Sequence, residues 1–219
     1  MLRRDYLLRM IEEMTESIGV ALGLRQEKKR IEALWELDEQ YKKHFRLDAQ
    51  MMHALSVKDL IELFRFAGEI QTDKLQSAAR LMMEESKIYL DDGKTREGVL
   101  RAIKALHLFL FAYVHGADSE LWHLHDCVAE LKRMLEDYTL PVETQKLILM
   151  YEEKRGQYDQ SENALYRLLE QQAISPLEVL QYYERWLTVS SEVLEQGGLP
   201  LHEVREGIER MKARRDKIG

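Results

Sequence analysis

Residues 79–110 read ARLMMEESKIYLDDGKTREGVLRAIKALHLFL, and the fold turns on them. Leu75, Ala78, Ala79, Met82, Ser86, Tyr89 and Leu90 recur at the steps that bring side chains onto one face of an α-helix. Their small members leave room for a second helix. Asp91-Asp92-Gly93 then turns the chain, and Thr95 can cap a following helix with Val99, Ala102, Ile103, Leu106 and Leu110 inward, running to about His115. Two amphipathic helices joined by so few residues make an antiparallel hairpin.

The same pattern extends in both directions. Upstream, Tyr6, Leu7, Met10, Ile11, Met14, Ile18 and Leu22 line one face of an amphipathic N-terminal helix, with Gly23 as its break. Ile31, Leu34, Trp35, Tyr41 and Phe45 define a second helix from about residue 27, with the basic triplet Lys28-Lys29-Arg30 near its start. Ser56 and Asp59 begin a third segment that runs through Phe66 and ends at Gly68. Downstream, Leu121, Leu124, Val128, Leu131, Leu135 and Tyr138 form a seam. Helices follow from Pro141 to near Gly156 and from Tyr158 to Gln172. Ser175-Pro176-Leu177-Glu178 starts a long one that continues to Gln196, and Pro200 starts the last.

Composition agrees. Of 219 residues, 45% are hydrophobic and 32% charged, while 11 Gly and 3 Pro supply too little turn material for many short strands. The expected class is all-α, as stacked antiparallel hairpins in two parts: an N-terminal helical segment over residues 1–70 and a repeat domain over residues 71–219. The formal charge of -7, spread along the chain, disfavours nonspecific binding to a phosphate backbone, so no nucleic-acid partner is expected. The longest apolar run, Leu108 to Val114, falls short of the roughly 20 residues that span a bilayer. Arg3 and Arg4 are followed by Asp5, Glu12, Glu13 and Glu16, which interrupt any secretory signal. With one cysteine, Cys127, no internal disulfide can form, and a reducing, cytoplasmic compartment is expected.

Ser86, Tyr89, Gly93, Gly98 and Ala105 stand in an order that resembles the tetratricopeptide repeat, which sets small residues where its two helices cross and Gly at the turn. Tyr151 to Tyr158, followed by Ser161, Ala164, Leu165 and Leu168, resembles it again. With the N-terminal helix from Asp5 to Glu12 and the Leu22-Gly23-Leu24 break, the whole looks like an uncharacterised family of bacterial tetratricopeptide-like proteins. That resemblance implies a right-handed superhelix of hairpins and no established activity, and it carries no functional residues across.

Sequence motifs for catalysis are weak. His107, His115, His123, His125, Asp126 and Cys127 are the densest set of metal-ligand types, but His123 and His125 point to opposite sides of a helix, so no metal site or cofactor is expected. Gly93-Lys94-Thr95 has Ile88 where a phosphate-binding loop needs its first glycine. The acidic pairs Glu84-Glu85 and Asp91-Asp92 read as solvated helix surface. Arg205, Arg210, Lys212, Arg214, Arg215 and Lys217 make the last helix basic, but Glu203, Glu206, Glu209 and Asp216 interleave with them. No catalytic residue is assigned, and an enzyme is not expected.

A protein or peptide partner is. The first helix of each repeat would line a concave side, presenting Arg80, Met83 and Lys87 from one and Glu143, Lys146 and Met150 from the other, a mixed groove suited to an extended peptide. The Met-rich N-terminal helix caps the array, with pairing to a second copy, docking on a partner and contact with a membrane surface as the alternatives. The alternative is a ligand-responsive regulator or small-molecule sensor, its pocket between helices walled by Tyr182, Tyr183 and Trp186 with Arg185 turned inward.

Overall fold

In the computed structural model the backbone is described for residues 2–215 and the side chains for residues 5–214. Asp216 and Lys217 therefore lie outside the described residues, as do the side chains of Arg3, Arg4 and Arg215. Among the described residues there are twelve α-helices, one 3-10 turn and a single two-stranded hairpin, so the class is all-α.

The chain forms two compact units, residues 1–139 and 140–219. Sequence patterning placed the division near residue 70 instead. The structure differs because the helix that follows, α5 (Thr72–Asp91), packs on both α1 (Leu2–Gln26) and α2 (Arg30–Phe45). The N-terminal helices thus share a core with the segment after them. Met10, Met14, Ile18 and Ala21 of α1 are buried, so the Met-rich face is covered within its own unit.

In this first unit α2 is followed by two short helices, α3 (Ala49–Ala54) and α4 (Val57–Leu63), and by strands β1 (Arg65–Phe66) and β2 (Glu69–Ile70). The strands pair antiparallel, Arg65 opposite Ile70 and Phe66 opposite Glu69, around Ala67 and Gly68, both at positive φ (51° and 87°). That is the turn whose twist matches paired strands. Helix α5 then packs along α6 (Thr95–Val114), and a 3-10 turn (Leu121–His123) leads into α7 (Leu124–Met134). Because α1, α2, α6 and α7 all touch it, α5 is buried nearly all round, from Leu75 to Ser86.

The second unit holds α8 (Val142–Lys154), α9 (Tyr158–Glu170), α10 (Pro176–Trp186), α11 (Ser191–Gln196) and α12 (Leu201–Arg215). Helices α8 and α9 form a hairpin, and α10 packs on α12 and α9. Helix α10 starts as its sequence dictates: Ser175 accepts from the Glu178 N–H, while the Glu178 carboxylate accepts from the Ser175 N–H at 2.7 Å. It ends at Trp186, ten residues before the expected Gln196, because Ser190 caps a new helix by accepting from the Val193 N–H.

One turn geometry recurs in the three tightest hairpins, α1/α2, α5/α6 and α8/α9. Lys28, Gly93 and Gly156 take φ of 60°, 74° and 72°. The next residue in each case, Lys29, Lys94 or Gln157, donates its N–H five residues back, to Leu24, Tyr89 or Glu152, at 2.8–2.9 Å. Its own carbonyl accepts the first bond of the following helix, from Ala33, Gly98 or Ser161. One residue therefore closes one helix and opens the next. The small residues Ala33, Gly98 and Ser161 occupy equivalent, buried positions in the second helices.

Candidate functional site

Glu85 places a carboxylate at 2% exposure on the α5 face toward α2 and α3. A buried carboxylate is costly unless hydrogen-bonded. Here one oxygen, Oε2, accepts from the Tyr41 hydroxyl at 2.9 Å and lies 2.5 Å from His53 Nε2. Burial, then the neighbouring Glu85 charge, pushes the Tyr41 phenol well above its usual range, so Tyr41 stays a donor.

His53 reaches Glu85 because the six-residue helix α3 is pinned at both ends. The Asp48 carboxylate accepts from the Met51 N–H at 2.7 Å, and Asp38 of α2 accepts from the Ala49 N–H at 2.6 Å. At the other end Lys104 of α6 donates to the carbonyls of Leu55 and His53 at 2.7 and 2.9 Å. A cation at exposed carbonyls complements a helix C-terminus. Burial, with Arg101 adding to it, lowers the Lys104 pKa.

Around this network opens a cleft of about 570 Å³, floored by Glu85 and His53. One wall is α2, through Leu34, Trp35, Asp38 and Lys42; the other is Tyr89 of α5 and Arg101 of α6. Trp35 is 59% exposed although it is the largest apolar side chain of α2. The Arg101 guanidinium lies 4.0 Å from the centre of the Tyr89 ring. Two other clefts are less suited to a ligand. In that of about 510 Å³ beside α1, Arg25 and Arg30 are already paired with Asp91 and Asp92. In that of about 490 Å³ beside α10, Ser175 and Glu178 are spent on the helix cap.

The six residues expected to line a groove fall three in each unit. In the first, Met83 is fully buried. Arg80 and Lys87 both pair with Glu84, and Lys87 reaches Glu130 of α7 at 2.8 Å. The 3-10 turn adds to this cover, Trp122 Nε1 donating to Ser77 Oγ at 2.9 Å. The expectation of an open concave face at Arg80, Met83 and Lys87 is therefore corrected: the chain's own α7 and 3-10 turn close that side of α5. In the second unit Glu143 and Met150 are exposed, and Lys146 is paired with Glu143 at 3.0 Å.

Other expectations change as well. Glu84 and Glu85 are not a solvated pair; each is 2% exposed, one neutralised by Arg80 and Lys87, the other held by Tyr41 and His53. Tyr183 and Trp186 are fully buried and packed edge to face, ring centres 5.4 Å apart. Arg185 turns to Glu153 with two bonds of 2.7 Å, so the three aromatic residues do not wall a pocket with an inward arginine. His115 stacks on Phe111 and Cys127 is buried; burial raises the Cys127 thiol pKa. Among the described residues no three His, Cys, Asp or Glu side chains gather as a metal site would need. None of the described helices is long and apolar enough to cross a membrane.

The molecule is thus an all-α protein of antiparallel helical hairpins with a charged, aromatic-rimmed cleft in its first unit. It belongs to a family of unknown function, DUF6483, whose model matches residues 1–216. No curated protein and no solved structure matched the chain.

Proposed function

We propose that this protein is a noncatalytic peptide- or protein-binding adaptor of tetratricopeptide-like build, and that its ligand enters the cleft between α2, α3, α5 and α6. The observation that carries the reading is the trio at the rim. Trp35 is exposed, Tyr89 and Arg101 are stacked, and Trp, Tyr and Arg are the residue types that dominate binding energy at interfaces. The right-handed superhelix is supported by the shared turn of the three hairpins and by Gly98, where an added Cβ would come within 3.0 Å of the Ser86 carbonyl at the helix crossing. A noncatalytic role is supported by the engagement of the cleft's carboxylates in structural bonds: Asp38 and Asp48 hold α3, and Glu85 holds Tyr41 and His53. A bacterial cytoplasmic setting is supported by the family resemblance and the single, buried cysteine.

Selection of displayed twelve-residue peptides against the full-length protein and a Trp35→Ala variant tests this. Trp35 is exposed, so the variant keeps its fold. Peptides enriched on the wild type are expected to be lost on the variant, whereas enrichment no greater than on a bare support contradicts the reading.

A further inference from the structure

We propose that Arg101 is the anion contact of this cleft and that the ligand is a peptide segment placing one carboxylate on Arg101 and an apolar side chain on Trp35. This rests on the peptide-binding reading and names the chemistry of its ligand. Lys42 is already paired with Asp38 at 2.6 Å and Glu39 at 3.0 Å. Asp38 also accepts from the Ala49 N–H, Asp48 caps α3, and Glu85 accepts from Tyr41 and contacts His53. Among the described residues, Arg101 is the one charged side chain of the lining without an opposite charge at ion-pair distance or a capping role. Its Nη1 donates to the Glu97 carbonyl at 3.1 Å, and its buried Nε has no partner. The guanidinium carbon stands 4.0 Å over the centre of the Tyr89 ring, a contact that restrains the side chain before a ligand arrives. A planar, oriented guanidinium matches a carboxylate with two parallel hydrogen bonds.

The surrounding charges decide which anion. Three carboxylates, Asp38, Asp48 and Glu85, line the cleft beside two cations, Lys42 and Arg101. A dianionic phosphate meets stronger repulsion from these carboxylates than a single carboxylate does, and Arg101 balances the one charge that a carboxylate brings. Leu34 and Trp35 on the facing helix provide the apolar surface for its neighbouring side chain.

The probe is a set of fluorescein-labelled nine-residue peptides, acetylated and amidated at the termini. Each carries Asp, Asn or phosphoserine at the centre of mixed Leu, Ala, Ser and Lys flanks, and binding is read by polarisation. On the wild type the Asp set is expected to bind about tenfold more tightly than the Asn set. The phosphoserine set is expected to bind no better than Asp. In Arg101→Gln, checked for native helicity, the Asp preference should vanish, and in Arg101→Lys it should persist in part. Equal binding of Asp and Asn to the wild type, tighter binding of phosphoserine, or an Asp preference surviving in Arg101→Gln overturns the inference and leaves the peptide reading standing. If no set binds, the peptide reading itself has failed, and the inference goes with it.

Discussion

Glu85 shows how much of the site depends on single bonds. Its carboxylate stays buried because Tyr41 and His53 meet it, so Tyr41→Phe, which removes one donor and little volume, is expected to lower stability by about 1–3 kcal/mol in chemical denaturation. Unchanged stability would mean that solvent reaches the carboxylate. His44 gives a pH dependence. Burial holds its imidazole below the ordinary 6.5, outweighing the nearby Glu13 and aided by Lys43. Between that lowered value and 6.5 the folded protein binds fewer protons than the unfolded chain, so stability falls as pH drops below about 6.5. His44→Gln should reduce the loss in denaturation midpoint between about pH 7.5 and about pH 5.5; an equal loss would assign the effect elsewhere. Neither group stood out in the sequence. Glu84-Glu85 looks solvated because adjacency says nothing about a helix enclosed on every side. The available signal was that Glu85 shares a helical face with Met82 and Tyr89, a charge set among apolar neighbours.

The helices were legible where periodicity is strong, as along α5, α6 and α9, and obscure where an element is short. Helix α3 has six residues and exists because Asp38, Asp48 and Lys104 hold its ends, two of them from other helices. No local pattern encodes that. The strand pair was missed because Ala67-Gly68 is a poor match to the Asn-Gly or Asp-Gly signal of such turns. Gly23 was read as a break, yet α1 runs through it to Gln26 and turns at Lys28, which adopts the positive φ that glycine takes in the other two hairpins. Lys28 hid the first member of the series. The shared crossing makes a prediction for Gly98. An added Cβ would sit 2.6 Å from Leu90 Cγ and 3.0 Å from the Ser86 carbonyl, so Gly98→Val must push α5 and α6 apart. A loss of about 2 kcal/mol or more is expected in thermal or urea unfolding. A loss below about 0.5 kcal/mol would show that the crossing is loosely packed.

For the molecule as a whole, patterning identified an all-α chain of hairpins and missed where it divides. The division falls after residue 139 because α5 completes the core of the N-terminal helices, a tertiary fact that helix patterning along the chain cannot reveal. The same tertiary packing moved the candidate site. Arg80, Met83 and Lys87 sit under α7, while the open cleft lies on the side of α5 that faces α2 and α3. Trp35 concealed it, because the sequence placed this residue on an inward face and the structure leaves it exposed at the rim. The location of that cleft is tested most directly by amide hydrogen exchange of the full-length protein with a peptide taken from the selection. Slowed exchange in α2 and α3 and in the first turns of α6 around Arg101 is the result predicted. Slowed exchange confined to α8, around Glu143, Lys146 and Met150, would contradict it.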